Sequence, residues 1–228
     1  MAAILAAVGV LWGEEAAEAV ACSADTYAAR ATRDLKFDGL ANFGVVEAGV
    51  LYRGCQPFTK GKTSASGKRG NGFDTLKSLG IKCRILLRES TKTMEHLDEK
   101  IELANRGIQL FHLPVPSPSW SHMAPGAAVP ASYTAAITRA RDKFMEIVSN
   151  KQNHPCYVSC LHGKDRTGAL VGWYRAVVNK WKPKRIFAEQ KVCKYNPAGP
   201  LIYYRRVFCE WYRAKFGSDP DCDKVLGL

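Results

Sequence analysis

Cys160-Leu161-His162-Gly163-Lys164-Asp165-Arg166-Thr167-Gly168 lies between an apolar, strand-like run, Cys156-Tyr157-Val158-Ser159, and a second apolar run at 169–178 that is long enough for a helix. A loop passing from a strand into a helix aims its backbone N–H groups into one concavity, and the helix dipole adds positive potential there. An anion fits such a cradle, and a thiolate at its base stands in line to attack it.

Each residue type in the run has a chemical reason. A free cysteine titrates near 8.5, and helix N-termini and nearby cations lower that to roughly 3.5–7.5; here the cations are Arg166 and Lys164. The planar fork of Arg166 also matches two phosphoryl oxygens, which a lysine cannot do. Gly163 allows a tight turn and close backbone approach. The Thr167 hydroxyl can hydrogen-bond the thiolate, first holding it as nucleophile and then easing its departure. A buried structural cysteine would need none of these neighbours. Together they imply a two-step reaction through a phosphocysteine.

Working outward, helix and strand patterns alternate. Residues 76–79 read as a short helix, 83–87 as a buried strand, 96–106 as a helix and 109–113 as a strand. Ile137, Phe144, Ile147 and Val148 give 132–150 an amphipathic helical pattern. Strand 156–160, the loop, helix 168–181 and helices around 184–193 and 200–215 follow. The chain has 228 residues, 46% of them hydrophobic, enough for one real core. The predicted fold is a single α/β domain with a central, mostly parallel sheet flanked by helices. The site belongs at the carboxyl end of a central strand.

The Cys160–Gly168 run resembles the C-x5-R-[ST] signature of cysteine-dependent protein tyrosine and dual-specificity phosphatases, and its Gly163-Lys164-Asp165-Arg166-Thr167-Gly168 form resembles their atypical bacterial and lipid-phosphatase branch. Two more blocks fall in the family's order. Leu51-Tyr52-Arg53-Gly54-Cys55-Gln56-Pro57 resembles the opening "LYRSGQP", and Gly80-Ile81-Lys82-Cys83-Arg84-Ile85-Leu86-Leu87-Arg88 resembles "GIKTVINLR". The likeness spans residues 42 to about 213. It implies a phosphotyrosine-phosphatase-like fold, Cys160 as nucleophile, and a phosphoryl group bound by Arg166 and the backbone of Leu161, His162, Gly163 and Lys164. Thr167 tunes the thiolate, and neither metal nor other cofactor takes part.

The sequence departs from that pattern in three places. Ser159 precedes the nucleophile where most of the superfamily has histidine, and Cys55 stands where the bacterial pattern has glycine. The upstream loop that usually carries a general-acid aspartate reads Leu113-Pro114-Val115-Pro116-Ser117-Pro118-Ser119-Trp120-Ser121-His122-Met123, with no acidic residue. Asp165 is the candidate acid in its place, since a neighbouring phosphate raises a carboxyl pKa. His122 is the fallback, and a salt-bridge role for Asp165 stays open. Arg53 and Arg88 read as structural anchors at strand ends. The alternatives to a protein phosphatase are a phosphoinositide or other small-molecule phosphatase with the same machinery, or a catalytically weak phosphate-binding module.

Net charge is +12, and residues 164–215 carry 13 Lys/Arg against Asp165, Glu189 and Glu210. A field of that sign steers anions, which suits a phosphorylated protein, a polyanionic phosphate substrate or an anionic membrane surface. No nucleic-acid-binding motif is present, and no nucleic-acid partner is expected. The domain is expected over 35–216, with a mobile Gly/Ser/Lys-rich loop at 59–72 and a tail at 217–228. Residues 1–22 read as a signal segment or a disordered N-terminus, with Ala19-Val20-Ala21 resembling a cleavage site; exported or periplasmic location is favoured over cytoplasmic. Among the eight cysteines, Cys193, Cys209 and Cys222 are candidates for a disulfide after export, and Cys55 and Cys156 for thiols that protect an oxidised Cys160.

Overall fold

The computed structural model describes residues 39–57, 71–89, 94–117, 130–193 and 200–228. Their elements run β1 (Gly44–Glu47), β2 (Leu51–Gly54), α1 (Gly72–Ser78), β3 (Cys83–Leu86), α2 (Met94–Ala104), β4 (Gln109–His112), α3 (Ala131–Ser149), a 3-10 turn (Lys151–Asn153), β5 (Cys156–Ser159), α4 (Asp165–Val177), α5 (Pro183–Val192), α6 (Pro200–Phe216) and α7 (Pro220–Leu226). The sheet order is β1-β2-β5-β3-β4. β2, β5, β3 and β4 are parallel, and β1 returns antiparallel along β2. The fold is thus a single α/β domain with a central, mostly parallel sheet flanked by helices.

Burial explains the order. Every residue of Cys83–Leu86 and Cys156–Ser159 is buried, as strands covered on both faces require, so they occupy the middle. Successive side chains point to opposite faces. Cys156 and Val158 therefore join the larger core with Phe144 of α3, Leu170 of α4, Ile186 of α5 and Phe208 of α6. Tyr157 joins a smaller core with Phe73 and Leu76 of α1 and Leu103 of α2. Arg84 points the same way as Tyr157, pairs with Glu99 at 3.0 Å and lies over the Tyr157 ring.

The structure departs from the sequence expectations in four ways. α4 starts at Asp165 rather than 168, so Asp165, Arg166 and Thr167 form a helical first turn; an acidic residue there is favoured by the helix dipole. The 217–228 stretch holds α7, capped by the Asp219 side chain and Gly227 and tied to α6 by a Cys209–Cys222 disulfide. Cys156 is bonded to Cys83, its register partner across β3 and β5 at 4.6 Å between Cα atoms, and so is no resolving thiol. Arg53 lies inside β2 rather than at a strand end, with no exposed surface. The 1–22 segment and residues 59–70 of the predicted 59–72 loop lie outside the described residues; its last two, Asn71 and Gly72, instead cap and begin α1. Among those described, no helix is long and apolar enough to cross a membrane.

Candidate active site

β5 delivers Cys160 to the carboxyl edge of the sheet, and the chain then turns through Leu161–Lys164 into α4. Gly163 makes the turn possible. It has φ +67°, and a Cβ built there would stand 2.1 Å from the Gly54 carbonyl oxygen and 2.7 Å from the Cys55 nitrogen. Only glycine lets the loop lie this close to the end of β2. No side chain caps α4, so its first-turn N–H groups face the loop without a capping acceptor.

Cys160 is 3% exposed and Thr167 is fully buried beside it. The Cys160 N–H donates to Thr167 Oγ1 at 2.9 Å. Burial pushes the thiol pKa up, but the charge of Arg166 and hydrogen bonds from the Thr167 hydroxyl and amide outweigh it, and Cys160 ends below its ordinary value. Asp165 moves the other way. Burial raises it to about 6, against the opposing pull of Lys164, Arg166 and Arg53. A thiol held toward thiolate and a carboxyl held toward acid thus sit five residues apart, at the two ends of one loop. Arg166 reaches the Val115 carbonyl at 3.5 Å, which places its guanidinium between the loop and the 113–117 segment.

The loop's own carbonyls turn outward. The Cys160 carbonyl accepts from Ser159 Oγ at 3.0 Å and that of Leu161 from the Gln56 N–H at 3.2 Å. Asn42 Nδ2 donates to the carbonyls of His162 and Gly163 at 3.3 and 3.1 Å. Arg53 Nη2 donates to the Gly163 carbonyl at 2.7 Å.

Cys160, Asp165, Arg166 and Thr167, predicted from sequence, converge here. Leu161 and His162 are exposed. Lys164 is half-buried and close enough for its charge to act on Asp165. The Arg88 guanidinium donates to Gln56 Oε1 at 2.5 Å. His122 and Trp120 lie outside the described residues.

Two contributors, Asn42 and Tyr204, went unread in the sequence, and Arg53, read only as a strand-end anchor, holds the loop itself. Asn42 and Arg53 are brought to the loop by the β1–β2 hairpin. Tyr204 comes from α6, donates to the Pro116 carbonyl at 2.7 Å, and lies within electrostatic reach of Arg166, Cys160 and Asp165. Burial pushes its phenol pKa well up. Only the fold assembles these groups, so no local pattern could announce them. Among the described residues no cluster of three His, Cys, Asp or Glu could hold a metal ion.

A model of the tyrosine phosphatase family matches residues 40–198. The core catalytic domain of the PP-IP phosphatase SIW14 from S. cerevisiae, in complex with citrate, is 22% identical with a TM-score of 0.52, covering 81% of this chain and 90% of that one. A second structure, the Siw14 catalytic core, gives 22% and 0.54 over 82% and 90%. P. aeruginosa TpbA is 16% identical over 85% and 96%, with a TM-score of 0.46. The two Siw14 likenesses show the shared fold.

Proposed function

The chain belongs to the tyrosine phosphatase family, and on that basis we propose that it is a metal-independent protein tyrosine or dual-specificity phosphatase working through a phosphocysteine. The Cys160 sulfur attacks phosphorus while the bond from phosphorus to the ester oxygen breaks, and Asp165 gives its proton to that oxygen. Water then attacks phosphorus, Asp165 takes the water's proton, and the S–P bond breaks to release phosphate and restore the thiolate. Arg166 and the backbone N–H groups of 161–166 hold the phosphoryl oxygens. Lys164 contacts a further anionic group, and the Thr167 hydroxyl stabilises the sulfur as nucleophile and leaving group.

The observation that carries this reading is the loop from β5 into α4, which sets the Cys160 N–H 2.9 Å from Thr167 Oγ1 and Asp165 and Arg166 in the first helical turn, with the thiol pKa lowered and the carboxyl raised to about 6. It supplies an acid although the 113–117 segment holds no Asp or Glu. The test is hydrolysis of an aryl phosphate in chelator, comparing wild type with Cys160→Ser. The variant is expected to be inactive; equal rates would sink the proposal.

A second reading, a phosphatase of small polyanionic phosphates, is favoured by the cation excess that follows the nucleophile, 13 Lys/Arg against three acids over 164–215. A structural neighbour named as a PP-IP phosphatase is in keeping with it. Phosphotyrosine peptides and polyphosphorylated inositols separate the two by their kcat/KM and its salt dependence.

A further inference from the structure

Taking the Cys160 loop as the phosphate cradle proposed above, we infer that Asn42 and Arg53 are positioning residues: they grip the outer side of the loop and so turn its amides toward the anion. A trans peptide points its C=O and the next residue's N–H in opposite directions. The Leu161, His162 and Gly163 carbonyls are therefore locked to the N–H groups of His162, Gly163 and Lys164. One segment of the chain holds all three carbonyls: the Gln56 N–H takes the first, Asn42 the second, and Asn42 with Arg53 the third. With these carbonyls pulled outward, the three N–H groups face the concavity.

Both side chains lie buried against the loop. Asn42 is 3% exposed and Arg53 0%. Asn42 has φ +55°, and its amide nitrogen also lies 3.1 Å from the Cys193 carbonyl, so its two N–H groups are shared among three acceptors, the 3.3 Å contact to His162 being the longest. Arg53 spends one nitrogen on Gly163, while its Nε and Nη1 are buried without a hydrogen-bond partner. Leaving such donors unmatched is unfavourable, which a purely structural role does not justify. The buried cation has charged neighbours instead. Burial lowers its pKa and Arg175 adds to that, while Glu189 and then Cys160 favour its protonated form; it in turn acts on Asp165. The other groups acting on the Cys160 sulfur are Arg166, Asp165 and Thr167 of α4; its own charge is felt by Tyr204 of α6 and Tyr157 of β5.

The test uses the full chain with Asn42→Gly, which keeps the positive-φ backbone while deleting the amide, together with Arg53→Lys and Arg53→Met. Thermal unfolding first establishes which variants are folded. Two readings follow: inhibition by inorganic phosphate, and the pH midpoint for alkylation of Cys160 by iodoacetamide. Folded Asn42→Gly is expected to bind phosphate on the order of tenfold more weakly, with KM raised more than kcat is lowered. Arg53→Met is expected to move the alkylation midpoint upward, and Arg53→Lys to restore it through its charge. Should Arg53→Met not fold, Asn42→Gly decides. Folded Asn42→Gly with wild-type phosphate affinity, or folded Arg53→Met with a wild-type midpoint, would overturn the inference. A wild type that neither binds phosphate nor alkylates early would instead overturn the cradle reading beneath it.

Discussion

Replacing Gly163 with alanine probes the contact on which the loop geometry rests. The added Cβ would lie 2.1 Å from the Gly54 oxygen, 2.2 Å from its carbonyl carbon and 2.7 Å from the Cys55 nitrogen. All three are backbone atoms of the strand end, so no side-chain rotation relieves the overlap. Ordinary contact lies near 3.5 Å, so loop and strand must separate by more than about 1 Å. Holding alanine at φ +67° adds a conformational penalty of about 1–2 kcal/mol. A displacement of about 1 Å in a catalytic constellation lowers rates about 100-fold. The expected result is therefore a kcat/KM on an aryl phosphate about 100-fold below wild type, with a modestly lower Tm. Steady-state kinetics and thermal unfolding of the same preparation measure both. An alanine variant within about twofold of wild-type kcat/KM would refute the reasoning, because it would mean that the close approach of loop to β2 does not govern the site.

Asp165→Asn should slow hydrolysis of alkyl phosphates by about 100-fold or more and that of good aryl leaving groups far less. With Asp165 titrating at about 6, wild-type activity on poor leaving groups should fall above that pH, and the variant should lose this alkaline limb in a pH–rate profile. The same carboxyl binds its proton more tightly folded than unfolded. Native stability should therefore decline as pH rises from the unfolded carboxylate range, near 3.9, through about 6; Asp165→Asn should abolish that decline in denaturant titrations. Arg175→Leu strands Glu189, its partner at 2.6 Å, in the interior and should cost about 3–5 kcal/mol; adding Glu189→Leu should recover part of that loss in a double-mutant cycle. Cys209→Ser opens a disulfide spanning 13 residues and should remove about 3 kcal/mol by the loop-entropy estimate, read as a lower Tm with little change in kcat.

What the sequence could reveal follows from range. The strand, loop and helix around Cys160 are contiguous, so their residue types carry the chemistry and most of the local geometry. The apolar runs 83–87 and 156–160 marked the buried strands within a residue or so of their ends. α4 began earlier than its apolar pattern because its first turn, Asp165-Arg166-Thr167, is polar and so falls outside that pattern. The Cys83–Cys156 bond was illegible because it depends on register between two strands separated by 73 residues. The tail at 217–228 carried the cap signals Asp219, Pro220 and Gly227, but its burial depends on Cys222 meeting α6. Asn42 and Tyr204 belong to the same class, and so does the contact of Arg53, legible as an anchor but not as one that reaches the Gly163 carbonyl. Each is ordinary in its own segment and acquires a part in the site only when the hairpin or α6 folds against the loop.

The phosphocysteine can be caught directly. Wild type and Asp165→Asn would be mixed with an aryl phosphate, quenched in acid within a turnover, digested and mapped by mass spectrometry. The mechanism requires that the peptide holding Cys160 gain one phosphoryl group, that the adduct vanish in Cys160→Ser, and that it build up in Asp165→Asn, whose water attack is slowed. Turnover with no adduct on Cys160, or hydrolysis that survives Cys160→Ser, would contradict it.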